Sequence, residues 1–137
     1  MNRSAAREQA FGLIYSFEIQ KENVQEQIDL YIENQDIADK NTKQYIAQIA
    51  KGIENHVANI EEKITQNLKK DWTIQRVSKM DIALLKLAIY EILYTETPYK
   101  VVINEAVELA KKYGDATSPN FINGMLASIV KESGKVE

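Results

Sequence analysis

The stretch from Val77 to Tyr94 is apolar around almost the whole circumference of the helix that its sequence predicts. Lys79, Lys86 and Tyr90 alone form a narrow stripe for solvent. A helix with so little polar surface must be covered on several sides by other elements. The stretch is also too short and too charged to cross a bilayer. It is therefore predicted to be the buried axis of a helical domain.

Two carboxylates, Asp81 and Glu91, fall inside this apolar arc. A buried carboxylate must be paired, serve as a cap, or lie near a helix end. Asp81 lies in the predicted first turn, where the helix macrodipole favours a negative charge. Glu91 is predicted to be structural. It would accept hydrogen bonds from tyrosine or lysine side chains, or from backbone donors at the start of the helix that follows Pro98.

The composition indicates a cytoplasmic globular chain without a metal or a cofactor. The sequence contains no cysteine and one histidine, which excludes thiolate sites and argues against a histidine metal site. No apolar run follows a basic start at the N-terminus, so no secretory signal is expected. The net charge of −3 argues against a general binder of phosphate backbones, because such domains are strongly basic. Any nucleic-acid contact must then come from a local patch or from a surface shared with a partner.

Helical periodicity dominates the chain, and no segment alternates with a period of two over the length of a strand. The fold class is therefore predicted to be all-α. The first helix is expected to begin at Ser4, as its N-cap, and to end near Gln20. Lys21–Asn23 is a connection, and a second helix covers 24–35.

A third helical stripe covers about 41–68 and is capped by Asp39 or Asn41. Gly52 and Asn55 leave open whether it is one bent helix or two. The segment 69–73 breaks the pattern and is the best hinge of the chain. We therefore expect an N-terminal bundle over 1–70 and a C-terminal bundle over 71–137, with a single compact unit as the alternative.

Two further helices follow the central one. Thr95–Pro98 closes the central helix and opens a helix that ends at Tyr113, whose ring is expected to face inward. Gly114 is the expected left-handed residue after that helix. Thr117–Pro119 supplies a cap and an N-terminal proline for the last helix, and Lys131–Glu137 is a polar tail.

No pattern in the sequence predicts catalysis. There is no glycine loop that would cradle a phosphate and no nucleophile with a nearby histidine partner. The chain is therefore not expected to be an enzyme.

Phe121 is predicted to lie at the edge of the core face of the last helix, beside Asn120, Asn123 and Gly124. A rim aromatic flanked by amides suits stacking on an unpaired base, with the amides reading its edge. The other interpretation is a core phenylalanine, with Gly124 allowing close helix packing. Wheel geometry alone favours the core interpretation.

Arg3 and Arg7 lie one turn apart on a face of the first helix away from its apolar stripe. They are either an RNA-facing pair or an ordinary solvated surface. Tyr15 lies further round the same helix, at the core or at its rim.

Four segments, spread over nearly the whole chain, carry a characteristic sequence pattern in a characteristic order and spacing. They are Pro98–Lys111, Leu87–Glu91, Ser118 with Phe121–Leu126, and Arg7–Glu8 followed by Tyr15. This pattern resembles the NusB family of bacterial transcription antitermination factors, and the run INEAVELAK is its most specific part.

The resemblance implies two helical bundles, about seven helices in all, packed across each other, and no enzymatic activity. It implies binding of the single-stranded boxA element of ribosomal RNA leaders together with a small-subunit ribosomal protein that acts as NusE. Through that pair it implies an indirect effect on the RNA polymerase elongation complex, which becomes resistant to termination. No membrane is implied, and the oligomeric state of the free protein stays open.

The resemblance also implies site residues by position. Asp81 matches an acidic position that faces the ribosomal protein, with Arg76 and Lys79 as companions. Ser4 stands where family members often carry another basic residue, which predicts a protein that binds RNA well only when paired. The implied RNA face comprises Arg3, Arg7, Tyr15, Asn120, Phe121 and Asn123.

Two alternatives remain at this stage. The same helical fold occurs as the N-terminal region of ribosomal RNA cytosine methyltransferases, although the short tail after the last helix favours a standalone factor. A helical protein–protein adaptor that binds no RNA is the other alternative, and it would gain if Phe121 were fully buried.

Overall fold

The computed structural model of the chain describes residues 1–20 and 23–135. Those ranges contain seven α-helices, one 3-10 turn and no strand, which confirms the predicted all-α class. Lys21 and Glu22 of the predicted connection, and residues 136–137 of the predicted tail, lie outside the described residues. The elements are α1 (Arg3–Ile19), α2 (Val24–Asn34), α3 (Lys40–Asn55), α4 (Val57–Gln66), the 3-10 turn (Ile74–Arg76), α5 (Lys79–Tyr94), α6 (Tyr99–Tyr113) and α7 (Ser118–Glu132).

The first helix begins earlier than predicted. Asn2 is its N-cap, and the Asn2 side-chain oxygen accepts a hydrogen bond from the backbone N–H of Ala5 at 3.0 Å. Asparagine is as good a cap as serine, so the expected cap at Ser4 is wrong. The Ser4 hydroxyl instead donates to Glu105 of α6, which ties the first turn of α1 to the C-terminal half.

The third helical stripe is two helices that meet at His56. Asp39 caps α3 by accepting from the backbone N–H of Thr42 at 2.8 Å. At the break, the His56 ring stacks on Tyr94 with 3.8 Å between ring centroids. Gly52 lies in the last turn of α3, just before this break. A side chain would not fit there, because the Tyr90 ring occupies the space where a Cβ on Gly52 would lie.

Helix α5 is the axis of the fold and packs against α1, α3, α4, α6 and α7. Every residue from Asp81 to Ile92 is buried, so the prediction that Lys86 and Tyr90 face solvent is wrong. The Lys86 ammonium lies 2.8 Å from Glu18 of α1 and 3.2 Å from Glu61 of α4. The two neighbouring helices thus supply the charges that allow this lysine to be buried.

Buried side chains from all seven helices form one continuous core. The core crosses the expected boundary at residue 70, because α1 and α3 of the first half pack directly on α5 of the second. The division into 1–70 and 71–137 stays a prediction. Within the described ranges, no helix has both the length and the apolarity needed to cross a membrane.

The end of α6 differs from expectation in two ways. Gly114 has φ −88° and ψ −172°, which is extended rather than left-handed backbone. Its small size matters for another reason: a Cβ there would lie 2.5 Å from the Cβ of Ser118 and 2.8 Å from the carbonyl oxygen of Ala110. Tyr113 does not face inward either, since it is 40% exposed and its hydroxyl donates to Glu8.

Candidate functional site

Arg7 lies inside the protein and not on its surface. Its Nε donates to Oε1 of Glu91 at 2.8 Å, and its Nη2 donates to Oε2 of the same carboxylate at 3.0 Å. Its Nη1 reaches Glu105 at 3.3 Å. The residue is 3% exposed, so the prediction of an RNA-facing Arg7 is wrong: its donors are used by two carboxylates from α5 and α6.

Glu91 is the centre of this buried cluster. Besides Arg7, it accepts a hydrogen bond from the Tyr45 hydroxyl at 3.3 Å, which confirms the predicted tyrosine donor. Burial alone would lower the pKa of Arg7, but the hydrogen bonds and charge of Glu91 outweigh it and raise that pKa. Burial, together with the charge of Glu91, raises the pKa of Tyr45 to about 12. Arg7 therefore stays charged and Tyr45 stays neutral at physiological pH.

Arg3 differs from Arg7 in its surroundings. It is exposed, and its guanidinium carbon lies 4.7 Å from the centroid of the Tyr45 ring. This is a cation–π contact. Among the residues that the structure describes, none forms an ion pair or a hydrogen bond with the Arg3 side chain. Its charge and its N–H donors are available to a ligand.

Tyr15 is half-buried at the rim of α1. Its ring stacks on Phe11 with centroids 6.3 Å apart, and Phe11 in turn lies 5.3 Å from the ring of Tyr113. An aromatic row thus runs from α1 to the end of α6. Arg3 and Tyr15 are separated by about 18 Å along the helix axis, at 1.5 Å per residue.

Phe121 is half-buried, packs against the core and reaches the surface at the rim. Asn120 and Asn123 beside it are exposed. A Cβ built on Gly124 would meet no heavy atom of the described residues within 4 Å. The interpretation that Gly124 permits close helix packing is therefore wrong, and the glycine leaves open space beside the ring.

Phe121 lines a groove of about 730 Å³. The groove brings Asn120 and Phe121, predicted to bind RNA, together with Arg76 and Asp81, predicted to bind a protein partner. Trp72 also lines it, 50% exposed, with the Arg76 guanidinium 5.8 Å from its ring centroid. Sequence reasoning treated this tryptophan as part of a hinge. The one sequence feature that could have indicated a surface role is a single tryptophan within the otherwise polar segment 69–73, which interrupts the helical pattern.

Asp81 is also among the residues that line this groove. Its backbone N–H donates to the Ser78 hydroxyl at 3.1 Å, which caps α5. The residue is 7% exposed, and its buried Oδ1 has no hydrogen-bond partner among the residues that the structure describes. Burial raises the pKa of Asp81; Asp115 adds to this effect, while the hydroxyls of Ser118 and Ser78 oppose it. A buried carboxylate oxygen with unused capacity favours a ligand that brings a donor.

Of the three residues predicted to bind the protein partner, the structure brings two together and separates the third. Arg76 and Asp81 share the groove, whereas Lys79 does not line it. Lys79 is exposed, and its ammonium donates to the backbone carbonyl of Glu18 at 3.0 Å. Lys79 is therefore on the side of α5 that faces the C-terminal turn of α1. Its contact residue there, Glu18, lies about one helical turn after Tyr15.

Comparisons with known proteins agree on one family. The model described as "NusB family" matches residues 4–131. The chain is 44% identical over 132 residues to transcription antitermination protein NusB of Acetivibrio thermocellus, covering 96% of this chain and 90% of that protein. T. maritima NusB matches in structure with a TM-score of 0.87 at 30% identity, covering 96% of this chain and 92% of that one. A crystal structure of antitermination factors NusB and NusE in complex with dsRNA matches with a TM-score of 0.86 at 27% identity, covering 95% and 96%.

Proposed function

The chain belongs to the NusB family, and we propose that it is an RNA-binding transcription antitermination factor. It binds boxA-type RNA of ribosomal RNA leaders together with a small-subunit ribosomal protein that acts as NusE. Through this complex it modifies elongation by RNA polymerase. The protein has no catalytic role of its own and works in the cytoplasm, where transcription and ribosomal proteins meet.

The observation that carries this proposal is the exposed edge of Phe121. The ring packs against the core, is flanked by the exposed residues Asn120 and Asn123, and is unshielded at Gly124. An anchored aromatic with an open side provides a stacking surface for an unpaired base, and the amides can hydrogen-bond to the base edge. A purely structural phenylalanine would need neither the open space nor the polar frame.

The remaining RNA contacts are proposed at Arg3 and Tyr15. Arg3 supplies an exposed charge for a phosphate, and Tyr15 supplies a half-exposed ring. Because these two residues are about 18 Å apart along α1, one nucleotide cannot reach both. The RNA is therefore an extended segment that touches the surface at separate places.

The protein partner is proposed to dock at Asp81, with Arg76 and Lys79 as further contacts. Asp81 lines a groove with an exposed tryptophan, and its Oδ1, although itself buried, has no donor among the described residues. A basic ribosomal protein would bring hydrogen-bond donors to this groove and would add positive charge to a protein whose own net charge is −3. RNA would then meet a surface composed of both proteins.

A titration of fluorescent RNA tests the proposal. A boxA-like single strand should bind this protein, and bind more tightly when the ribosomal protein is present. The same sequence annealed to its complement should bind less well, because stacking on Phe121 needs an unpaired base. Equal binding of the single strand, the duplex and a scrambled strand would contradict the proposal, as would the absence of binding with the partner present.

The two alternatives have less support. The adaptor that binds no RNA would have gained from a fully buried Phe121, and Phe121 is half-buried. The relation to cytosine methyltransferases has no counterpart among the similar proteins described above, which are antitermination factors.

A further inference from the structure

We propose that Tyr45 is a positioning residue for RNA binding: its ring holds the guanidinium of Arg3 in place for a phosphate of the RNA, without touching the RNA itself. This inference rests on the proposed function, and it adds a residue of α3 to a site otherwise built from α1 and α7.

Tyr45 is itself held rigidly. It is 9% exposed, and its hydroxyl donates to Oε1 of Glu91. The same carboxylate is fixed by both hydrogen bonds from Arg7. The ring is therefore clamped by core packing along its body and by a buried ion pair at its polar end. A side chain resting on it has a rigid support.

Arg3 uses this support without losing its donors. The guanidinium carbon lies 4.7 Å from the ring centroid, and a contact with a ring face leaves the N–H groups at the edge of the guanidinium free. A salt bridge would have had the opposite effect, as it does at Arg7, where two carboxylates use the donors. An arginine that is oriented but not neutralised is suited to phosphate.

The cation–π contact is expected to increase RNA affinity by ordering the Arg3 side chain before the RNA binds. A free arginine on a surface loses side-chain freedom when it binds a phosphate, and this cost is reduced if the side chain is already ordered. Converted to affinity, the usual cost of immobilising such a side chain corresponds to about two- to tenfold. Loss of the Tyr45 ring should weaken RNA binding by that factor, and only while Arg3 is present.

A double-mutant cycle tests this dependence. RNA affinity is measured at low salt, with the ribosomal partner present, for the wild type, Arg3→Ala, Tyr45→Met and the double variant. Methionine is chosen because it adapts to irregular core spaces. We expect Tyr45→Met to bind RNA about two- to tenfold more weakly and Arg3→Ala to lose at least as much affinity, and we expect Tyr45→Met to have no effect once Arg3 is alanine. Tyr45→Phe should retain most of the affinity, because the ring remains.

A matched control is available at Tyr31. This tyrosine is half-buried, its hydroxyl donates to Gln9 of α1 at 2.9 Å, and its pKa, like that of Tyr45, is raised by burial to about 12. No cationic side chain of the described residues forms a cation–π contact with its ring. Tyr31→Met should therefore disturb packing against α1 without changing RNA affinity.

Two results would overturn the inference and leave the proposed function standing. One is an unchanged affinity in Tyr45→Met; the other is an equal loss in the presence and absence of Arg3. If the wild type with its partner bound no RNA, the proposed function would fail and this inference with it. A measurement on the wild type guards against a misfolded variant: the side-chain methylene protons of Arg3 should show an upfield ring-current shift in the NMR spectrum. Unshifted resonances would overturn the inference without any substitution.

Discussion

The guanidinium of Arg7 and the carboxylate of Glu91 form a two-pronged ion pair whose side chains are 4% and 2% exposed. The pair joins α1 to α5 across 84 positions of sequence. Removing one partner of such a pair leaves the other charge buried and uncompensated, which costs more than the pair itself contributes. The first turns of α1 therefore depend on this contact for their place in the fold.

Arg7→Ala is expected to lower the free energy of unfolding by about 3–5 kcal/mol, because it leaves Glu91 unpaired in the core. Urea denaturation followed by circular dichroism measures the change. Arg3→Ala is the matched control one turn earlier, and as a surface substitution it should change stability by less than about 0.5 kcal/mol. Similar stabilities for the two variants would show that Arg7 is solvated.

The same pair shows where sequence reasoning ends. The burial of α5 could be predicted, because an apolar circumference leaves only one place for a helix. The burial of Arg7 and Lys86 could not, because their acidic partners Glu91, Glu18 and Glu61 come from other helices. A helical wheel records which face a residue is on. It contains no information about the charges that a neighbouring helix brings to that face.

Phe121 shows the same limit at the site. The sequence placed it at the edge of the core face, and only the position of the surrounding helices decides whether an edge is covered. The role of Trp72 in the groove was not predicted, because Trp72 lies in a segment without helical periodicity. A helical wheel assigns no buried or exposed face to such a segment. The groove that joins these two residues depends on the approach of α7 to the segment before α5.

Phe121→Ala should weaken binding of single-stranded RNA by about 1–3 kcal/mol, the usual contribution of one base–aromatic stack. The loss of stability should be smaller than for a core phenylalanine, since part of the ring is already exposed. Fluorescence anisotropy and thermal unfolding on the same samples separate the two effects.

Phe17, which is buried in α1, provides the comparison. Phe17→Ala should cost about 3–5 kcal/mol of stability, with little effect on the RNA affinity of the folded protein. If Phe121→Ala gave this pattern as well, Phe121 would be a core residue and the stacking surface would be excluded.

Gly124→Ala should stabilise the free protein by about 1 kcal/mol, because glycine is a poor helix former and alanine the best. The new methyl group meets open space, so no clash offsets the gain. Thermal unfolding measures the change. A loss of stability would indicate a close neighbour at this position, contrary to the structure.

Asp81→Asn should raise stability at neutral pH. The folded-state pKa of Asp81 is raised by burial, so the folded protein binds this proton more tightly than the unfolded chain does. The resulting stabilisation is present at acidic pH and is lost as pH rises from the ordinary aspartate pKa through the raised value. Asparagine removes this dependence of stability on pH, because it is uncharged at both acidic and neutral pH.

Unfolding curves across the acidic range test this assignment. The exposed cap Asp39, whose pKa is lowered chiefly by hydrogen bonds from Thr42, is the control. Asp39→Asn should change the pH profile in the opposite sense, because a lowered pKa gives stability that appears as pH rises. An Asp81→Asn protein with the profile of the wild type would contradict an ionised, desolvated carboxylate.

RNA and the ribosomal protein are proposed to bind this chain cooperatively, and their coupling free energy measures that cooperativity. RNA affinity is measured with and without the protein partner, and partner affinity with and without RNA; by linkage the two ratios must agree. We expect a coupling of about 1–3 kcal/mol in the wild type. We expect most of it to disappear in Asp81→Lys, where like charges meet, while the isolated variant binds RNA as before. Zero coupling in the wild type would contradict the claim, and full coupling in Asp81→Lys would show that the partner does not dock at Asp81.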